Sequence, residues 1–357
     1  MDSTRPWMIY GANGYTGALI AREAKRRQLS PILAGRNEAR LQALAAELGL
    51  EARVFGLEDP AALVERIGDC ALVLNCAGPF SATAAPMMEA CLAAGVHYLD
   101  ITGEIAVLEM AQALGERART AGIVLCPGVG FDVIPTDCVA AVLKRALPDA
   151  THLALGFDSR SGMSPGTAKT SIEGLAAGGR IRRDGRIVSV PLAWEVRRID
   201  FGDGEKLAMT IPWGDVATAF HTTGIPNVRV FMPASPRMIA RARRANLLRP
   251  LLALPWIRTW LQARIARTVT GPSDAQRRSM PTHVWGEATN ATGERRTARI
   301  RTANGYSLTI DGALHVVDHV LARRPAAGAY TPAGLLGPTL IDQLPGSGPM
   351  ELVAAAA

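Results

Sequence analysis

The chain has 357 residues, enough to bury two cores, with 39 basic and 32 acidic side chains and a formal net charge of +7. Its five cysteines all precede residue 139 and form no C-x-x-C pair, which reads as reduced core residues and excludes a disulfide framework or a cysteine metal site. No apolar run reaches the length of a membrane span and the N-terminus lacks the order of a signal peptide, so the expected compartment is the cytoplasm.

Trp7-Met8-Ile9-Tyr10 reads as a strand, Gly11-Ala12-Asn13-Gly14-Tyr15-Thr16-Gly17 as a glycine turn, and residues 18–28 as a helix. In that order Gly11 permits the sharp exit from the strand, Gly14 lets backbone approach a pyrophosphate, and Gly17 lets the helix pack closely on the sheet. The phosphates then sit at the helix's positive N-terminus. Gly11, Asn13, Gly14, Tyr15, Thr16 and Gly17 are therefore the expected cofactor cradle. A second strand, 31–34, ends in Gly35-Arg36, about twenty residues past the third glycine, where a dinucleotide's ribose is read. An acid there takes the 2′-hydroxyl of NAD, whereas a guanidinium meets a 2′-phosphate, so Arg36 points to NADP. The plainer reading, a tight turn with a solvated arginine, leaves strand, glycines and spacing unexplained.

The βα rhythm continues with a helix over 38–47, a strand over 52–56, a short helix from Pro60 capped by Asp59, and a continuously apolar strand over 71–76. Ligands of an open parallel sheet bind at the strands' carboxyl ends, which brings Ala77, Gly78, Pro79 and Phe80 beside the cofactor. A helix over 85–94 and a strand over 97–101 lead to Thr102-Gly103-Glu104, with Gly103 on the same crevice. A helix over 106–121 and a strand over 123–126 lead to the turn at Pro127 to Asp137. These elements make a doubly wound α/β domain over 1–148. Strand candidates at 151–158, 186–190, 194–200, 206–211, 283–288 and 297–302 suggest a mixed, largely antiparallel sheet in an α+β domain over 149–303. A helix over 306–323 and the cap-then-proline start at Thr331-Pro332 give helices within 304–345, and 346–357 reads as a flexible tail.

Hydride chemistry needs a developing negative charge to be stabilised and then protonated. Asp132 and Asp137 share one turn: one orients the nicotinamide amide, the other caps a helix. Glu104 reads as a proton relay or as a first-turn carboxylate favoured by the helix dipole. Lys169 and Ser171 read as donors to a thioester-type oxygen or as solvated polar groups. His221 reads as the proton donor to an enolate or as a satisfied hydrogen-bonder. No cluster has metal spacing. From Val216 to Ser273 there are nine arginines and no Asp, Glu or Lys, so this stretch accounts for more than the whole net charge. Arg237, Arg241 and Arg244 share a helical face, and a Leu/Trp block follows in which Trp256 and Trp260 lie one turn apart. Segment 237–267 thus suits a peripheral membrane contact or a lipid-carrying partner, or else a helix pair covered by the mate of a homodimer. Its aromatics cluster with leucines instead of alternating with charges, which argues against nucleic acid.

Together GANGYTG, LAGRN, NCAGPF, HYLDITGE, PGVGFDVIPTD and TPAGLLG resemble the saccharopine dehydrogenase-like superfamily, most of all its trans-acting enoyl reductase branch. The resemblance implies an NADP-binding Rossmann domain, a middle substrate or dimerisation domain, and closing helices that return to the first domain. It also implies hydride delivery to the double bond of a lipid-like or polyketide-like acyl chain carried by a partner synthase. The lysine-pathway enzymes share the fold, so a saccharopine-type amino-acid dehydrogenase and a non-catalytic NADP-binding scaffold stand as alternatives.

Overall fold

A computed structural model describes residues 5–159, 178–252 and 273–354. The first sheet contains β1 (Trp7–Tyr10), β2 (Ile32–Gly35), β3 (Ala52–Val54), β4 (Leu72–Asn75), β5 (His97–Asp100), β6 (Val124–Cys126) and β15 (Gly328–Ala329). Their order is β15-β6-β5-β4-β1-β2-β3 and every pairing is parallel. β1 to β6 thus follow the 3-2-1-4-5-6 order of a dinucleotide-binding sheet. β1, β2 and β4 are buried along their whole length, which is why their sequences run apolar without alternation.

The second sheet contains β7 (Ala150–Ser159), β8 (Gly179–Arg183), β9 (Arg186–Val190), β10 (Val196–Asp200), β11 (Glu205–Ile211), β12 (Asn227–Pro233), β13 (Thr282–Asn290), β14 (Arg295–Thr302) and β16 (Glu351–Ala354). The order is β10-β11-β12-β7-β13-β14-β16, with the β8–β9 hairpin set on β12. All its pairings are antiparallel except β12 with β7. The expected mixed sheet is therefore present, enlarged by β8, β12 and β16.

Helix α7 (Ile134–Ala146) shows that chain order and core order differ. Its Ile134, Cys138, Val139 and Leu143 share a core with Leu153, Leu155, Val228, Val230, Val284 and Ile300 of the second sheet. In the other direction, the helix Gly305–Arg323 buries Ala313, Val316, Val317 and Val320 against Ile20, Leu33, Leu72 and Leu99 of the first domain. The C-terminal stretch thus returns to the first sheet and supplies its seventh strand.

Two expectations change. The helix expected over 106–121 divides into α5 (Ile105–Ala113) and α6 (Gly115–Ala121), and buried Gly115 faces Ala329 of β15 across a gap that a Cβ would narrow to 3.4 Å. The tail expected to be flexible carries β16, which pairs with β14 from Arg296↔Ala354 to Arg299↔Glu351. All five cysteines are buried and free. Among the described residues no helix is long and apolar enough to cross a membrane.

Candidate active site

Gly11 leaves β1 at φ +79, and its N–H and that of Ala12 both donate to Ala34 O, at 2.8 and 3.1 Å. A Cβ on Gly11 would lie 2.7 Å from Ala77 N, one on Gly17 2.4 Å from Gly11 O, and one on Gly35 2.8 Å from Asn13 Oδ1. At Gly11 and Gly17 the neighbour is backbone that cannot swing aside, so these two approaches require glycine. α1 (Tyr15–Arg26) begins after exposed Gly14 with no side-chain cap. Its first N–H groups lack intrahelical acceptors, and a diphosphate supplies them together with the charge the dipole favours. The Tyr15 ring meets Tyr306 edge-on at 5.3 Å, which joins this cradle to the closing helix. Thr16 lies half-buried on the first turn of α1.

Arg36, just past β2, is exposed and has no carboxylate or carbonyl partner among the described residues. Burial pushes the neighbouring Tyr10 phenol up to about 12, against the opposing charge of Arg36. A guanidinium left open at this strand end fits a 2′-phosphate. The residues present therefore fit NADP.

The loop after β4 is tied from both sides. Buried Asn75 accepts from Ala77 N at 3.0 Å and donates to the Tyr98 hydroxyl at 3.3 Å, while Thr83 donates to Ala77 O at 2.6 Å. The Glu104 carboxylate accepts from Phe80 N at 2.9 Å and Ser81 N at 2.7 Å. It thereby caps α4 (Phe80–Ala94), which starts five residues ahead of the expected position. Glu104 stands just before its own helix and not in its first turn, the position the dipole reading gave it; its oxygens instead hold the N-terminus of α4 and shape Ala77 to Phe80. Asp100 does the same for the next two strand ends, accepting from Thr102 N and Gly128 N, both at 2.9 Å, and from the Tyr98 hydroxyl at 2.7 Å. Burial raises its pKa to about 6 against the pull of those donors.

The two acids of the 127–137 turn part company. Asp137 is fully buried and engaged, by the Thr222 hydroxyl at 2.5 Å and Ala333 N at 2.8 Å, so it joins α7 to the helices Asp215–Thr223 and Pro332–Leu336. Asp132 has no hydrogen-bond donor on its carboxyl among the described residues. Its Oδ2 lies against Gly103, where a Cβ would approach to 2.8 Å. Burial, with the Glu104 charge second, raises its pKa from 3.8 to about 7.

The second domain closes over this acid. The Trp213 indole donates to Asp132 O at 2.9 Å, its ring lies 4.7 Å from Phe157, and Phe157 meets Phe131 at 5.4 Å. A Cβ on Gly214 would stand 3.1 Å from Gly103 O, so the turn before the helix Asp215–Thr223 rests directly on the β5 loop. Buried Asp215 holds one oxygen 2.6 Å from Thr136 Oγ1, and its other oxygen has no partner. Burial raises its pKa well above the usual range. Thr136 Oγ1 also lies 3.1 Å from Val133 O, and one hydroxyl proton cannot serve both acceptors. Trp213 and Asp215 carried no recognisable motif in the sequence, and Thr136 lay in the turn at Pro127 to Asp137 without a role of its own.

His221 sits elsewhere. At the far end of the helix Asp215–Thr223, its Nε2 lies 3.1 Å from Glu109 Oε1. Glu109 also pairs with buried Arg182, which donates to Val216 O at 2.8 Å and Gly185 O at 2.7 Å. The structure thus favours the satisfied hydrogen-bonder for His221. Lys169 and Ser171 lie outside the described residues. Among the described residues no three His, Cys, Asp or Glu side chains are grouped to hold a metal ion.

Comparison with known proteins agrees with this geometry. Residues 7–126 match the family model for the saccharopine dehydrogenase NADP binding domain. The human saccharopine dehydrogenase-like oxidoreductase is 28% identical over 204 residues, covering 49% of this chain and 47% of that one. A trans-acting enoyl reductase of Mycobacterium ulcerans (strain Agy99) is 30% identical over 199 residues, covering 52% and 48%. The chain spans about half the length of the curated relatives it matches. The apo saccharopine dehydrogenase (L-Glu forming) of Saccharomyces cerevisiae shares the fold, with a TM-score of 0.65 over 98% of this chain and 100% of that one at 13% identity. Glycine cradle, strand order and open Arg36 thus coincide with residues 7–126, the segment that matches the saccharopine dehydrogenase NADP binding domain model.

Proposed function

We propose that the protein is an NADPH-dependent reductase that saturates the activated carbon–carbon double bond of an apolar acyl chain, with Asp132 as proton donor. One observation carries this reading: an unpartnered carboxyl with pKa raised to about 7, set against Gly103 at a strand end of the nucleotide sheet and closed over by Trp213. When bound, NADPH supplies the hydride. The cradle and Arg36 grip the nucleotide, and the Ala77–Phe80 loop, held by Asn75 and Glu104, shapes the crevice beside it. Phe131, Phe157 and Trp213 give the acyl chain an apolar wall that excludes water. Asp132 gives its proton to the carbon left electron-rich, becomes a carboxylate, and is reprotonated from solvent. Hydride and proton together account for the two hydrogens added.

The mycobacterial relative, a trans-acting enoyl reductase by name, supports an acyl substrate. A dicarboxylate substrate calls for open guanidinium groups, whereas Arg182, beside the helix Asp215–Thr223, is taken up by Glu109, Val216 O and Gly185 O. The test is an assay of enoyl thioesters of graded chain length with NADPH, run beside saccharopine with NADP. NADPH consumption with the enoyl series alone is expected. Oxidation of saccharopine, or tight NADPH binding without turnover of either series, contradicts the proposal.

A further inference from the structure

We infer that the outer face of the helix Pro236–Leu252 docks on an anionic phospholipid membrane. The rotational setting of this helix is fixed. Ile239 is buried with Ala193 and Ala234, Ala242 packs on the same cluster, and the Asn246 amide accepts from Leu192 N at 2.8 Å and donates to Leu192 O at 3.2 Å. With 3.6 residues per turn, that inward face leaves Arg237, Arg241, Arg244 and Leu247 pointing outward, with Arg243 at the flank.

All four arginines are exposed and none has a carboxylate partner among the described residues. Arg229, from the same acid-free stretch, differs: it lies on β12 and pairs with Glu195. The cations stand among protruding apolar side chains. Leu247 is 82% exposed, Met238 on the same helix 38%, and Trp194, from the loop that Asn246 holds, 49%. Two of the five large apolar side chains exposed among the described residues thus lie on this arginine-bearing helix, and a third lies on the loop it holds.

A lipid surface satisfies both halves of this pattern. Guanidinium groups pair with headgroup phosphates, while Leu247, Met238 and the amphipathic Trp194 enter the boundary with the acyl chains. An acidic protein domain answers the charge but offers nothing to a leucine standing clear of a convex helix.

The test is co-sedimentation of the full chain with vesicles of phosphatidylcholine alone or mixed with phosphatidylglycerol. Pelleting is expected only with the mixed vesicles, and it should fall as salt is raised. At about fivefold per arginine, the triple change Arg237→Glu, Arg241→Glu and Arg244→Glu weakens partition by on the order of 100-fold or more. Leu247→Ser, which keeps every charge, weakens it several-fold. Both variants should keep the wild-type circular dichroism and NADPH affinity, which separates lost docking from lost folding. Equal pelleting of the triple variant and wild type, equal pelleting with neutral vesicles, or capture of an acidic acyl carrier protein with no vesicle binding overturns the inference.

Discussion

Replacing Asp132 with Asn is expected to lower kcat by about 10²- to 10⁴-fold while leaving the NADPH dissociation constant within about twofold of wild type. The amide fills the same space against Gly103, so the β5 loop keeps its shape, but it carries no acidic proton. The pH profile gives the sign. Burial and the Glu104 charge move Asp132 from 3.8 to about 7, and the proposed donor is the protonated form, so wild-type kcat falls as pH rises through about 7. The residual rate of the variant should lack that limb.

Stability follows the same linkage. An acid whose native pKa is raised binds its proton more tightly when folded, so its contribution is complete below the unfolded value and is lost as pH rises through the folded one. Thermal melts should therefore show wild type losing stability relative to Asp132→Asn across roughly pH 4 to 7, the interval between the unfolded and the folded value. Equal kcat and an unchanged profile in the variant would remove Asp132 from the reaction.

Gly17→Val is expected to abolish nucleotide binding and to cost about 2–3 kcal/mol of stability. A Cβ there would stand 2.4 Å from Gly11 O and 3.0 Å from Ala12 Cα, both backbone atoms that cannot swing aside. α1 must lift from β1, and the N–H groups that face the diphosphate move with it. Fluorescence titration with NADPH, together with a thermal melt, measures both effects. Wild-type affinity in this variant would contradict the cradle.

Features set by neighbours in sequence were legible before the structure. The glycine turn, the unbroken apolar runs of β1 and β4, the Asp59 cap ahead of Pro60 and the Thr331 cap ahead of Pro332 all depend on residues a few positions apart, and all are present. Features set by distant partners were not. α4 begins at Phe80 because a carboxylate 24 residues downstream takes its first N–H groups. Asp132 and Asp137 sit in one turn with equal local claims, and only Thr222 and Ala333 on one, and Gly103 with Trp213 beside the other, tell them apart. β12 went unrecognised because its Val228 and Val230 belong to one core, its Phe231 to another, and its Arg229 was counted with the basic stretch. β16 is a four-residue edge whose register comes from β14, and its exposed Glu351, Leu352 and Val353 gave no alternating pattern to announce it.

A 2′-phosphate held by Arg36 would distinguish this nucleotide site from its NAD counterpart, and calorimetric titration of the wild-type chain with NADPH and with NADH tests it directly. NADPH should bind at least about tenfold more tightly, an advantage that Arg36→Asp removes. Equal or tighter binding of NADH by the wild-type protein, or no binding of either, would contradict it.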